Sequence, residues 1–142
     1  MGNFDFAYSL AGGNHPPAVQ KYPVAAAQTL VVGDLVVLSS GQVTKASASI
    51  ADVLGVMAQA STTATAGTLV EVYVINPWQV WRATADADAS SVVLTNGKMD
   101  INTNQTVDVA DTTGGCILIH KTGDAVTDVY VSFTETALML TS

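Results

Sequence analysis

The chain has 142 residues, 49% of them apolar and only 12% charged, and its 5 Lys and Arg against 12 Asp and Glu give a net charge of −7. The cations Lys21, Lys45, Arg82, Lys98 and Lys121 are scattered, so no basic stripe exists to neutralise phosphates and no nucleic-acid partner is expected. No run approaches the roughly 18 apolar residues of a membrane span, so no membrane partner is expected either.

The length predicts one domain, large enough to bury a core without staples. With so little charge, much of the surface must be Ser, Thr, Ala, Asn and Gln, which suits contact with other proteins because little charge has to be desolvated. Cys116 is the lone cysteine; an internal disulfide is impossible, and synthesis in a reducing cytosol is expected. The start of the chain shows neither a basic n-region nor an apolar h-region, so no secretory leader is expected.

Residues 2–13, GNFDFAYSLAGG, place Phe4, Phe6, Tyr8 and Leu10 on alternate positions, which predicts a strand with all four on one face. Gly12, Gly13, Pro16, Pro17 and Pro23 follow and should detach it, so residues 1–28 read as an extended arm and 29–142 as the folded domain. Leu30 to Leu38 is apolar but broken by a turn at Gly33-Asp34. LVVL-SSG-QVTK reads as a hairpin. Ala46 to Ala51 suits a short helical turn, Val53 to Ala58 a strand in which Gly55 allows a bulge or close packing. Thr68 to Ile75 alternates, with Val70, Val72 and Val74 on one side. After a turn at Asn76-Pro77, Trp78, Val80 and Arg82 oppose Gln79, Trp81 and Ala83. An acidic connection, Ala85 to Ser91, leads to Asn96-Gly97, a hairpin-turn dipeptide. Short strands are predicted at Lys98–Ile101 and Thr106–Val109. Longer ones are predicted at Gly115–Lys121 and Thr127–Thr134, the latter with Val129, Val131 and Phe133 inward. Leu138, Met139 and Leu140 pack on the core or on a neighbour. Short strands with turns at regular spacing predict an all-β protein, a compact barrel or sandwich of short antiparallel strands.

Motifs for chemistry are sparse. No GxSxG elbow is present. Cys116 and His120 on a strand would lie about 13 Å apart, too far for a nucleophile and base, and Cys116 reads as a small buried hydrophobe. Asp86-Ala87-Asp88 lacks the glycine and glutamate of a calcium loop, so no metal is expected. Asp108 and Asp111 read as loop acids. With two histidines and one cysteine dispersed, no catalytic residues and no cofactor are expected. Of Trp78 and Trp81, on opposite faces, one should be core and the other free for a contact; with Arg82 they are candidates for a subunit interface.

The arm is the candidate binding element. Burying its aromatics contributes several kcal/mol at about 25 cal/mol/Å², while ordering seven residues costs about 1–2 kcal/mol each. Terms so nearly equal predict a strand that is mobile until it finds an apolar surface and a free sheet edge. That edge is either in its own barrel or, as the Gly-Gly and Pro-Pro spacer favours, on an outside partner or a neighbouring copy, where backbone pairing supplies affinity. Phe4, Phe6, Tyr8 and Leu10 would make the contact, with Tyr22 and Pro23 anchoring the arm's exit.

The stretch GDLVVLSSGQVTKASASIADVLGVMAQASTTATAGTLVEVYV resembles the central segment of tailed-phage head decoration (capsid cement) proteins of the lambda type. The matching features are Gly33-Asp34, Val36 to Leu38, Gln42 to Ala46, Asp52 with Gly55-Val56, and Val70, Val72 and Val74; WRATADADAS and DVYVSF also fit the longer members. The likeness spans residues 20 to 134 and departs from the short members in an extra segment near 96 to 111. It implies a β-tulip domain, a homotrimer, and a place on the outer surface of an expanded icosahedral head, reached from the host cytoplasm. There the arm would pair with the major capsid protein and neighbouring subunits and stabilise the shell. A rival reading is a virion-surface carbohydrate- or receptor-binding β module, which requires an exposed Trp78 or Trp81. A small hydrolase would require a cleft joining His120 to a carboxylate.

Overall fold

A computed structural model describes residues 4–10, 16–26, 28–47, 52–61, 65–95, 98–103 and 105–136. The strands are β1 (Asp5–Ser9), β2 (Val19–Pro23), β3 (Leu35–Ser39), β4 (Gln42–Lys45), β5 (Gly55–Met57), β6 (Leu69–Val74), β7 (Gln79–Ala85), β8 (Asp100–Thr103), β9 (Thr106–Asp108), β10 (Ile117–Thr122) and β11 (Asp128–Phe133), with one 3₁₀ turn at Ser90–Val92. The expected turn at Asn96-Gly97, most of the turn expected in 46–51, and Leu138, Met139 and Leu140 lie outside the described residues.

The protein is all-β, as its turn spacing predicts, but its strands form two sheets and not one closed barrel. Sheet I runs β10-β11-β7-β9-β8, with β1 also paired to β7; sheet II runs β2-β6-β5-β3-β4. Every strand pairing is antiparallel except β7 with β9. Sheet II curls until Val24 bridges Val43 and the Ala25 N–H donates to the Val43 carbonyl at 2.9 Å. A single bridge, and not a full ladder, therefore joins its ends.

The division into an arm and a body is corrected. Residues 1–28 supply one edge strand to each sheet: β1 pairs β7, and β2 pairs β6 from Val19↔Tyr73 to Pro23↔Leu69. Gln28 lies within the body too, accepting from the Lys45 N–H at 2.9 Å. The fit of its first aromatic tips the near balance expected for β1. Phe4 is only 1% exposed and its ring centroid lies 6.0 Å from that of Phe133, and complete burial of such a side chain contributes about 2–3 kcal/mol.

Two apolar clusters follow from sheet II having both faces covered. Leu35, Val56 and Ile75 pack against Trp81, Ile117, Ile119, Val129, Val131 and Phe133 of sheet I. Val24, Leu30, Val36, Val43, Leu54, Met57, Val70 and Val72 fill the inside of the curl. Successive residues of a strand point to opposite faces, so Leu35 and Val36, both fully buried, serve different clusters. Asp34, 2% exposed, accepts from the Val31 N–H at 2.9 Å and from the side-chain amide of Gln105, tying the turn before β3 to the β8–β9 loop.

Ser40 and Gly41 join β3 to β4 with φ of 52° and 77°. Positive φ at both central residues is the hairpin turn whose twist matches the strands, and it favours Asn-Gly. We expect Ser40→Asn to raise stability by about 0.5 kcal/mol in urea unfolding. A β-carbon on Gly55 would meet the Tyr73 carbonyl and come within 2.6 Å of Val72 Cγ1; Gly55→Ala should cost about 3 kcal/mol in the same assay.

Candidate interaction surface

Strand β1 carries the residues assigned to binding, and a one-residue irregularity divides them. Phe6 opposes Trp81, but Tyr8 opposes Val80, so the register shifts between them. An extra residue turns every later side chain to the other face. The expectation that Phe4, Phe6, Tyr8 and Leu10 share one face is therefore corrected. Phe4 and Phe6 point between the sheets, where Phe6 meets the Trp81 ring edge-on at 5.7 Å and 75°. Tyr8 stands on the outer face of sheet I, its ring 6.4 Å from that of Tyr130. Leu10 is half exposed, and its N–H donates to the Trp78 carbonyl at 2.7 Å. Tyr22 packs against the cluster inside sheet II, and Pro23 ends β2.

The other candidates also separate. Trp81 is 1% exposed and its indole N–H finds no acceptor among the described residues, which costs about 1–3 kcal/mol. It is a core residue and not an interface one. Trp78 is 60% exposed. Arg82 is exposed and donates from Nε and Nη2 to the two carboxylate oxygens of Asp128 at 2.8 and 2.7 Å. These hydrogen bonds hold the Asp128 carboxyl below the usual carboxylate range.

Beside β1 a groove of about 370 Å³ opens between the sheets, walled by Phe4, Phe6, Val32, Tyr73 and Trp81 and bordered by Pro16 and Pro17. Pro16 also lines an adjoining cleft of about 360 Å³ with Ser9 and Trp78. Exposed Leu10, Val19, Val32 and Trp78 belong to the same segments. Among the described residues β1 pairs with no strand other than β7. An apolar wall flanks this edge strand, and the Phe4 N–H is used by the Gly33 carbonyl at 3.0 Å.

The groups considered for chemistry do not converge. Cys116 lies in the cluster between the sheets, where burial pushes its thiol up to about 12. His120 shares a 2.7 Å hydrogen bond with Ser132, and burial lowers its pKa. Asp88 accepts from both the N–H and the hydroxyl of Ser90, and Asp108 and Asp111 each accept from a backbone N–H two residues on. Among the described residues no group of three or more His, Cys, Asp or Glu is placed to hold a metal ion. Sequence reasoning missed Asp5, Lys121, Asp128 and Tyr130, which meet Tyr8 and Arg82 on the outer face. The alternation that put Val129 and Val131 inward also turned Asp128 and Tyr130 outward, but it could not say what they would meet. No protein-family model and no curated protein matches this chain.

Phe4→Ala should cost about 3–5 kcal/mol of stability in urea unfolding, whereas Trp78→Ser should change it by less than about 0.5 kcal/mol. His120 supplies a pH dependence whose sign follows from burial. The folded pKa lies below the ordinary 6.5, so the unfolded chain takes up the proton first as pH falls. The stability His120 contributes is complete above the unfolded value and is lost as pH falls through the folded one. Between about pH 7.5 and pH 5.5 the urea midpoint should fall, and His120→Gln should flatten that decline.

Proposed function

We propose that this chain is a non-enzymatic structural protein of a tailed-phage virion that binds the outer surface of an expanded icosahedral head and stabilises it. The observation that carries this reading is β1, an edge strand that lines an apolar groove bordered by segments bearing exposed Leu10, Val32 and Trp78. A backbone edge beside an apolar wall suits a strand from another polypeptide, with the ladder supplying affinity and alternate side chains selectivity. The partner under this reading is the major capsid protein, with copies of the chain as neighbours in a trimer. The arm then works as a strand already docked, which lowers the ordering cost of binding.

Two further features support the reading. The residues that carry the likeness to decoration proteins build one contiguous unit: Gly33-Asp34 is the turn into β3, the hairpin is β3–β4, Gly55-Val56 opens β5, and Val70, Val72 and Val74 lie on β6. The scarcity of charge leaves a surface that is cheap to desolvate, and many weak copies on a repeating shell gain avidity.

Co-sedimentation with expanded empty heads should show saturable binding, and light scattering should give a trimer's mass. The combined variant Leu10→Ser, Val32→Ser, Trp78→Ser should bind at least roughly 30-fold more weakly, since loss of one buried anchor costs about 2 kcal/mol or more. Absence of binding by the unsubstituted chain would overturn the proposal.

A further inference from the structure

We propose that the cleft on the outer face of sheet I, where β1, β7, β10 and β11 meet, binds a neutral pyranose ring. The cleft measures about 450 Å³ and is lined by Asp5, Tyr8, Arg82, Lys121 and Tyr130 among others, within the range of small-molecule sites. This cleft shares Asp5 and Phe6 with the groove beside β1 but takes its other walls from the outer face of sheet I and involves neither tryptophan, so the inference goes beyond the structural role and does not rest on it.

The chemistry follows from what each wall offers. Tyr8 and Tyr130 present two rings 6.4 Å apart and inclined by 32°. Lys121 Nζ sits 4.8 Å from the Tyr130 ring centroid and 5.6 Å from that of Tyr8. Among the described residues its ammonium has no carboxylate partner, the ion pairs being Arg82–Asp128 and Lys98–Glu135. Arg82 is held by Asp128 through Nε and Nη2, leaving Nη1 outside that pair. Asp5 stands directly across the ladder from Arg82 and is exposed.

Formal charges on Arg82, Lys121, Asp5 and Asp128 cancel. A ligand matched to this cleft needs no net charge. It needs an apolar face for the rings and rim groups that both donate to Asp5 and accept from Arg82 and Lys121. A pyranose carries both, with C–H bonds on a ring face and hydroxyls around the edge. A carboxylate or phosphate would find Asp5 opposing it. Lys121 has only to exchange exposed ring contacts, which are weak, for a hydroxyl oxygen.

The test uses the full chain with methyl glycopyranosides of glucose, galactose and mannose, and glucuronic acid as charged counterpart, followed by the NMR signals of the tyrosine rings. At least one neutral glycoside should shift Tyr8 and Tyr130 saturably, with a Kd on the order of 1 mM. Lys121→Met and Asp5→Asn, both at exposed positions, should each weaken binding roughly tenfold, while Lys45→Met leaves it unchanged. Dispersed methyl signals from the core valines report that each variant is folded. The proposal is overturned if no neutral glycoside gives a saturable shift up to about 100 mM. It is also overturned if shifts survive both substitutions, or if glucuronic acid binds more tightly than glucose.

Discussion

The seating of Phe4 on Phe133 and of Phe6 edge-on to Trp81 is the contact on which the surface of this protein depends. It places the first strand of the chain on β7, the strand through which sheet I is organised, for β7 pairs β11 along one edge and both β1 and β9 along the other. An aromatic pair at such spacing adds about 0.5–1.5 kcal/mol beyond the area it buries. Without it, β1 would have only one ladder and a half-exposed face to hold it, which is the marginal case that composition alone suggested.

Once β1 is docked, its irregular register decides what the surface can present. A regular strand would have sent Tyr8 inward behind Phe6. The shift between Phe6 and Tyr8 delivers Tyr8 to the outer face instead, beside Tyr130 and Lys121, on the face where Asp5 already stands across from Arg82. Edge strands commonly carry such irregularities, which bend the strand and discourage indiscriminate pairing. Here the same feature divides one aromatic stripe into an anchor for the core and a wall for the outer cleft. The strand is left lining the groove, where Pro16 and Pro17 follow in sequence and border the space.

Sheet II supplies a stiff counterpart. Its inner strand β5 and the start of β3 are buried on both faces, an arrangement that reads in sequence as a run and not as alternation; LVV at Leu35–Val37 is such a run. The buried Asp34 carboxylate, satisfied by the Val31 amide and Gln105, joins this sheet's entry turn to sheet I. Burial of a carboxylate is tolerated only when it is hydrogen-bonded in this way. The groove therefore lies between two elements that are tied together.

Much of this was legible from residues alone, because turns and alternation are local. The turns at Ser39-Ser40-Gly41 and Gly33-Asp34 and the inward set Val129, Val131 and Phe133 were read from spacing, and so was the opposition of Trp78 to Trp81. Which of the two tryptophans is buried was not, since either face of an isolated strand looks the same until another sheet covers one. The chain by itself determined that it is β throughout, low in charge, and equipped with an aromatic leading strand. Only the tertiary structure decided that this strand belongs to its own sheet, that a single extra residue splits its stripe, and that Lys121 and Tyr130 meet Tyr8. Those outcomes depend on partners more than 70 residues away along the chain, and a packing choice between distant segments leaves no local pattern to read.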